Sequence, residues 1–375
     1  MSTIERIELI EIRLPLVEPF QISSGVQRVR RILLIRVEDA QGASGWGECV
    51  AGETPNYSPE TVDGAWHMIE EWVAPRILGV ELEEPCQIRP LLEKDFRGHN
   101  MAKAGVEMAC WALFAQERGV SLARLLGGVR EKIEVGISIG IQPSPEMLVE
   151  KVRRAVQEGY RKIKAKIMPG ADLEYVRAVR DQLGQDVPLM VDANNAYTLQ
   201  DLPTLQALDE FGLIMIEQPL AWDDLVRHGE LQKHLRTPVC LDESITGLDR
   251  VQDMVTLGAG RIVNIKPGRV GGHASSREIH DYCASQDIPV WCGGMLESGI
   301  GRAHNVALAS LENFRLPGDV SPSSRYWERD IVSPAWSTDG QGRISVPRER
   351  PGLGVEIDHE FIDATTTRRR SLAKS

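Results

Sequence analysis

The chain has 375 residues, 42% of them apolar and 26% charged, with a formal net charge of −11. That length can bury a large core and is expected to form two domains. The acidic balance excludes nucleic acid and anionic membrane surfaces as main partners, although local lysines can still hold a small anion. No run of about 18 apolar residues marks a membrane span, and Met1–Leu16 mixes charge with apolar residues instead of forming a signal-type segment. The six cysteines (Cys49, Cys86, Cys110, Cys240, Cys283, Cys292) are scattered without a CxxC pair. They read as free, mostly buried thiols in a reducing cytoplasm.

In chain order, residues 4–16 read as a strand, 30–38 as a second, and a third begins at 45–49. Pro19–Gly25 and Ala51–Tyr57 read as loops, which often carry binding contacts. Helices follow from Ser58 to about Val73 and over Met101–Glu117, where Ala102, Val106, Ala109, Cys110 and Leu113 recur at helical spacing. Residues 1–125 therefore read as an α+β capping domain, with the tail from about 345 to 375 a candidate to return to it.

From about 132 strand and helix alternate. Expected strands are Ile133–Gly140, Lys162–Ile167, Pro188–Asn194, Leu213–Pro219, Pro238–Glu243, Arg261–Pro267 and Pro289–Gly294. Helices are expected between them, and an eighth strand is weakly signalled near Leu316–Val320. Repeating βα units over residues 126–344, with no GxGxxG after the first strand, predict an α/β fold, a (β/α) barrel. Chemistry in such barrels sits at the C-terminal strand ends. The tail is expected to be looser after Pro334 and frayed over Thr365–Ser375.

Charged groups end those strands at near-constant spacing: Asp192 to Glu217 is 25 residues, Glu217 to Asp242 is 25, and Asp242 to Lys266 is 24. Neighbouring strands lie about 5 Å apart, so Asp192, Glu217 and Asp242 would share one small volume. Carboxylates that close repel unless a cation neutralises them. An all-oxygen set suits a hard divalent ion such as Mg²⁺, with Asn194 and Glu243 supporting it from outside. In Lys162-Ile-Lys164-Ala-Lys166 a period of two puts three lysines on one face. Lys162, at the strand start, is expected to be solvated and structural. Lys164 and Lys166 lie towards the active end, and Lys266 ends a strand nearly opposite. This arrangement suggests removal of a proton next to a metal-bound carboxylate by one lysine, with a second lysine able to return it to the other face.

The set Lys164-Ala-Lys166, Asp192-Ala-Asn194, Glu217-Gln-Pro, Asp242-Glu243 and Lys266 resembles the enolase superfamily, in its muconate-lactonising-enzyme-like subgroup. Longer strings narrow the resemblance to the N-succinylamino acid racemase / o-succinylbenzoate synthase family. They include Gly136-Ile-Ser138-Ile-Gly140, Gly293-Gly-Met295-Leu-Glu-Ser-Gly299 and Gly318-Asp319-Val-Ser-Pro. That resemblance implies Mg²⁺ on Asp192, Glu217 and Asp242, with Mn²⁺ or Co²⁺ as substitutes, and acid/base roles for Lys166 and Lys266. It implies substrate contacts from Ser138, Lys164, Asn194, Gly294 and Met295, and Arg269 resembles an arginine of the racemase members. The implied activities are N-acylamino acid racemisation and the syn-dehydration to o-succinylbenzoate in menaquinone biosynthesis. A homo-oligomer acting on a small carboxylate is the expected state. Two departures are Ala165, where leucine is commoner, and Gly268, where alanine is usual and which is expected to loosen its loop.

Dipeptide epimerases carry Asp-x-Asp near strand eight, whereas Asp319-Val320-Ser321 stands here. Mandelate-type racemases use a histidine opposite the lysines, where Lys266 stands here. A Schiff-base lysine lyase would need one lysine and no metal, and the three carboxylates argue against it. A non-catalytic barrel scaffold would have no reason to hold two opposed lysines. Glycines 293, 294, 299 and 301 read first as turn formers, with close approach to substrate as the second reading.

Overall fold

The computed structural model describes residues 2–22 and 25–374, and its first sheet grows from one long hairpin. Strand β1 (Ser2–Ile22) pairs antiparallel with β2 (Gly25–Asp39), and β2 pairs with β3 (Ser44–Cys49). The expected loop at Pro19–Gly25 is thus largely the outer end of this hairpin; Ser23 and Ser24 lie outside the described residues. Ile7, Leu9, Leu33 and Ile35 bury one face of the sheet under the helix Asn100–Glu117. The helix backbone can approach because β3 carries Gly47, where a Cβ would stand 2.1 Å from the Gly105 carbonyl oxygen. The expected helix from Ser58 begins instead at Val62, because Pro59 lies in an irregular stretch and Thr61 caps the Gly64 N–H.

Seven parallel strands follow: β4 (Ile137–Ile139), β5 (Ile163–Lys166), β6 (Leu189–Asp192), β7 (Ile216–Glu217), β8 (Val239–Leu241), β9 (Ile262–Ile265) and β10 (Val290–Cys292). They pair in sequence order. Residues 316–320 close the ring without forming a regular strand. On one side Asp319 N–H donates to Cys292 O at 2.8 Å, and on the other Gly136 N–H donates to Gly318 O at 2.6 Å. The result is a (β/α) barrel with an N-terminal cap. The expected strand Ile133–Gly140 splits, since Lys132–Glu134 pairs with Arg343–Ser345 outside the barrel. A helix over Gly299–Ala309 follows β10, so Gly299 and Gly301 open a helix and are not a free turn.

Two corrections concern the ends of the pattern. Thr366–Ala373 is not frayed: it is strand β11, antiparallel to the edge of β1, with Arg368 bonded to Glu11. Its polar sequence hid it, because an edge strand needs only one apolar face. Gly268 does not loosen its loop. It lies buried in the short helix Pro267–Val270, where a Cβ would meet Val50 Cγ2 at 2.3 Å.

Inside the barrel the period of two is visible in packing. Met190, Met215, Cys240, Ile262 and Trp291 form a small cluster of their own. Their strand neighbours Val191, Ile216, Leu241, Val263 and Val290 belong to the large core between barrel and helices. Two residues beyond that inner layer stand Asp192, Glu217, Asp242 and Asn264, so the interior changes from apolar to charged within one pleat.

Candidate active site

Register brings the predicted residues together. Lys166 pairs with Asp192, and Asp192 with Glu217, across β5, β6 and β7; Asp242 follows β8 directly. The three carboxylates are no more than 1% exposed. Asn194, Asn195 and Gln218 take positive φ of 40°, 66° and 38°, turning the chain sharply after the acids. Such conformations cost about 1–3 kcal/mol each and are held only by surrounding contacts. Here Gln218 ties two strand ends together: its Oε1 accepts from Asp242 N–H at 3.0 Å, and its Nε2 donates to Ser244 Oγ at 2.7 Å.

Each carboxylate is matched by a cation. Lys166 Nζ lies 2.6 Å from Asp192 Oδ2 and donates to Asn194 Oδ1 at 2.6 Å. Lys164 Nζ lies 3.3 Å from Asp192 and 3.2 Å from Glu217. Lys266 Nζ lies 2.8 Å from Asp242 Oδ2, and Arg269 bonds Asp242 Oδ1. Burial alone would lower the Lys266 ammonium, but the Asp242 charge outweighs it and raises the group. Burial, reinforced by Asp192, pushes the Glu217 carboxyl up to about 7. Glu243 rises to about 8, first by burial and then by Asp242. One of its oxygens accepts from Asn194 and Asn195, and the other has no hydrogen-bond partner among the described residues.

Among the described residues no trio of His, Cys, Asp or Glu is already arranged around a point. The carboxylate oxygens are turned towards the ammonium groups, which do the neutralising. The donor set still fits a hard divalent ion: three buried carboxylates on adjacent strand ends, all of them oxygen donors.

Above this floor lies a cavity of about 630 Å³. Lys166, Lys266, Asn194, Gly294 and Met295 line its barrel side, and the cap supplies most of the rest, including Tyr57 and Arg30. Gly293 makes room for one of the lysines, since a Cβ there would stand 2.6 Å from Lys266 Cε.

The sequence matches the Enolase C-terminal domain-like family over residues 147–361. It matches the Mandelate racemase / muconate lactonizing enzyme, N-terminal domain, over residues 6–127. The chain belongs to the enolase superfamily. It is 50% identical to an o-succinylbenzoate synthase of Geobacillus kaustophilus, covering 97% of this chain and 96% of that one. It is 49% identical to an N-succinylamino acid racemase of Amycolatopsis, covering 96% and 97%. A solved enolase-superfamily structure from Listeria innocua superposes with a TM-score of 0.96 at 40% identity, covering both chains completely.

Within this enolase-superfamily site some residues fall elsewhere than expected. Lys162 is not solvated; it is fully buried, its Nζ 3.2 Å from the Trp291 ring centroid. The barrel strand continues its alternation downwards, so the first lysine is enclosed like the others. Ser138 is buried beside Lys164 in register, and its hydroxyl has no hydrogen-bond partner among the described residues. Arg269 points at Asp242, Tyr57 and the Ile245 carbonyl instead of lining the cavity.

Three contributors were missed. Tyr57 donates to Asp242 Oδ1 at 3.0 Å and accepts from Lys266 at 3.1 Å; it stood in the loop read as a binding loop. Asn264 donates to Glu217 Oε1 at 2.9 Å and sits two residues before Lys266, where alternation alone could have flagged it. Asp319 reaches Lys164 from the closing segment, and nothing local signalled that contact.

Proposed function

We propose that this enzyme removes the α-proton of a small carboxylate in a metal-dependent reaction, as an N-succinylamino acid racemase, an o-succinylbenzoate synthase, or both. The observation that carries the reading is that Lys166 and Lys266 line one cavity from different strands, above the three buried carboxylates. Asp192, Glu217 and Asp242 would hold Mg²⁺, with Glu243 behind them. The ion would supply Lewis acidity to the substrate carboxylate. One lysine, as its neutral amine, takes the α-proton and becomes the ammonium, and the electron pair moves into the carboxylate to give an enediolate. Lys164 faces the developing charge. Delivery of a proton by the other lysine to the opposite face inverts the centre. In dehydration the same carbanion expels the β-hydroxyl, which leaves as water with a lysine proton. Ser138, Asn194, Arg269, Gly294 and Met295 would shape or support the substrate site.

Charge balance favours a dianionic substrate. Asp192, Glu217, Asp242, Glu243 and Asp319 face Lys162, Lys164, Lys166, Lys266 and Arg269 inside the barrel mouth, all of them buried or nearly so. With Glu243, raised to about 8, holding its proton and the lysine that acts as base neutral, that set stays near neutral, and a divalent ion would leave two positive charges. An N-succinylamino acid or a succinylated cyclohexadiene carboxylate carries two negative ones.

By the same reading the chain divides into a cap, residues 1–125, and a barrel, residues 126–344, with β11 joined to the cap. A reducing cytoplasm suits its free cysteines, five of which are buried. Among the described residues no helix is long and apolar enough to cross a membrane.

The test incubates the protein with Mg²⁺ and an N-succinyl amino acid in D₂O and follows the α-proton by NMR. Exchange with loss of optical rotation is expected; the loss of rotation should vanish in Lys166→Ala and in Lys266→Ala, and each variant should exchange only the enantiomer whose α-proton faces the remaining lysine. Parallel turnover of 2-succinyl-6-hydroxy-2,4-cyclohexadiene-1-carboxylate ranks dehydration against racemisation. Full activity in either lysine variant would sink the two-lysine mechanism.

A further inference from the structure

Beneath the cavity floor lies a second charged tier that the proposed chemistry does not use. Asp319 splits its two oxygens between two lysines of β5. Oδ2 lies 2.5 Å from Lys164 Nζ, closer than either Asp192 or Glu217, and Oδ1 lies 3.4 Å from Lys162 Nζ. Among the described residues Lys162 Nζ has no hydrogen-bond partner, and it lies over the face of Trp291. The Trp291 ring is fixed in turn by an indole N–H bond to Cys240 Sγ at 3.3 Å. Gly136 leaves room for the Lys162 stem, since a Cβ there would stand 3.0 Å from Lys162 Cβ. Asp319 itself is held by its N–H bond to Cys292 O. A buried cation with one distant counterion and an aromatic face costs more than a methionine in the same space, so packing does not explain Lys162.

We infer that Asp319, backed by Lys162 on Trp291, is a positioning residue that holds the Lys164 ammonium for the substrate carboxylate and away from full pairing with Asp192 and Glu217. This rests on the reading that Lys164 meets that carboxylate. Lys162 shares the Asp319 charge, so Lys164 is held but not saturated. Without Asp319, the counterions left to Lys164 among the described residues are two carboxylates assigned to the metal, and the ammonium competes with the ion for them. Without Lys162, Asp319 turns wholly to Lys164 and makes it less available to substrate.

The two variants therefore fail differently. In Asp319→Asn, Mg²⁺ affinity measured by calorimetry falls about tenfold and kcat falls about 10- to 100-fold, the range for groups that orient metal ligands. In Lys162→Met, Mg²⁺ affinity stays within twofold while KM for the carboxylate rises several-fold, and Lys162→Arg restores it. Circular dichroism and melting confirm folding of each. Unchanged Mg²⁺ affinity and kinetics in folded Asp319→Asn would overturn the inference. So would identical kinetics in Lys162→Met, Lys162→Arg and wild type, or failure of both Asp319→Asn and Lys162→Met to fold, which would make the pair a folding element. If the wild-type protein turns over neither succinyl substrate, the proposed function fails, and the Mg²⁺ titration of Asp319→Asn still decides this point.

Discussion

Glu107 offers a direct test of how the cap is fastened to the barrel. It sits fully buried in the cap helix Asn100–Glu117 and accepts from the N–H groups of His273 at 2.7 Å and Ala274 at 2.9 Å, at the start of the barrel helix His273–Ser285. Trp111 Nε1 donates to it at 2.6 Å. Burial outweighs these three donors and pushes the carboxyl up from 4.5 to about 7. A carboxyl raised in the folded state holds its proton more tightly there than in the unfolded chain. Its stabilising effect is complete below pH 4.5 and is lost as the pH climbs to about 7. At 1.36 kcal/mol per unit the loss is about 3 kcal/mol. With an unfolding entropy of roughly 0.8 kcal/mol/K for a chain this long, that is about 4 °C in Tm. Glu107→Gln resembles the protonated form and cannot ionise. Melting both proteins with EDTA between pH 4.5 and 8 should therefore show the variant gaining about 4 °C on the wild type as pH rises. A difference independent of pH, or one that moves against the variant, would show that the N–H donors keep Glu107 ionised and would refute the reasoning.

Tyr57→Phe removes a hydroxyl that bridges Asp242, Lys266 and Arg269. A fall in kcat of about tenfold is expected with unchanged melting, and steady-state kinetics of the folded variant checks it. Gly293→Ala places a methyl group 2.3 Å from Asn264 Oδ1 and 2.6 Å from Lys266 Cε. Displacing that lysine should cost about 100-fold in α-proton exchange, read by NMR in D₂O. Deleting residues 366–375 strips β11 from β1 and exposes a long strand edge. The truncated protein should melt lower and aggregate on heating, as seen by light scattering.

The barrel was legible because its signal repeats. Each apolar strand ended in charge, and the pleat then decides which side chains face inward, so Asp192, Glu217, Asp242 and Lys266 could be aligned from spacing alone. The eighth strand was faint for a physical reason: residues 316–320 close the ring through backbone bonds to Cys292 and Gly136 and need no long β-forming run. Lys162 was misjudged because a lone lysine at a strand start usually reaches water. What encloses it, Trp291 and Asp319, comes from strands far along the chain. The edge strand β11 was missed because its Arg-rich sequence is stabilised by pairing with Glu11 and Asp63, contacts with no local periodicity.

The same long-range logic bears on how one site could serve two reactions. The cap is pinned to the barrel at two points by buried carboxylates. Glu107 holds the start of one barrel helix, and Glu48 accepts from Ser298 and Gly301 at the start of another. Burial also pushes Glu48 from 4.5 up to about 7, so both fasteners weaken together as the pH rises between those values. With both engaged, the sheet and helices of the cap are fixed relative to Lys166 and Lys266. Discrimination between inverting a centre and expelling a hydroxyl then falls to the side chains that the cap presents to the cavity away from the lysines, such as Phe20, Val26 and Glu53. Exchanging those side chains should change the ratio of the two activities while leaving the α-proton exchange common to both intact. A change in the exchange rate itself would place the control in the fasteners instead.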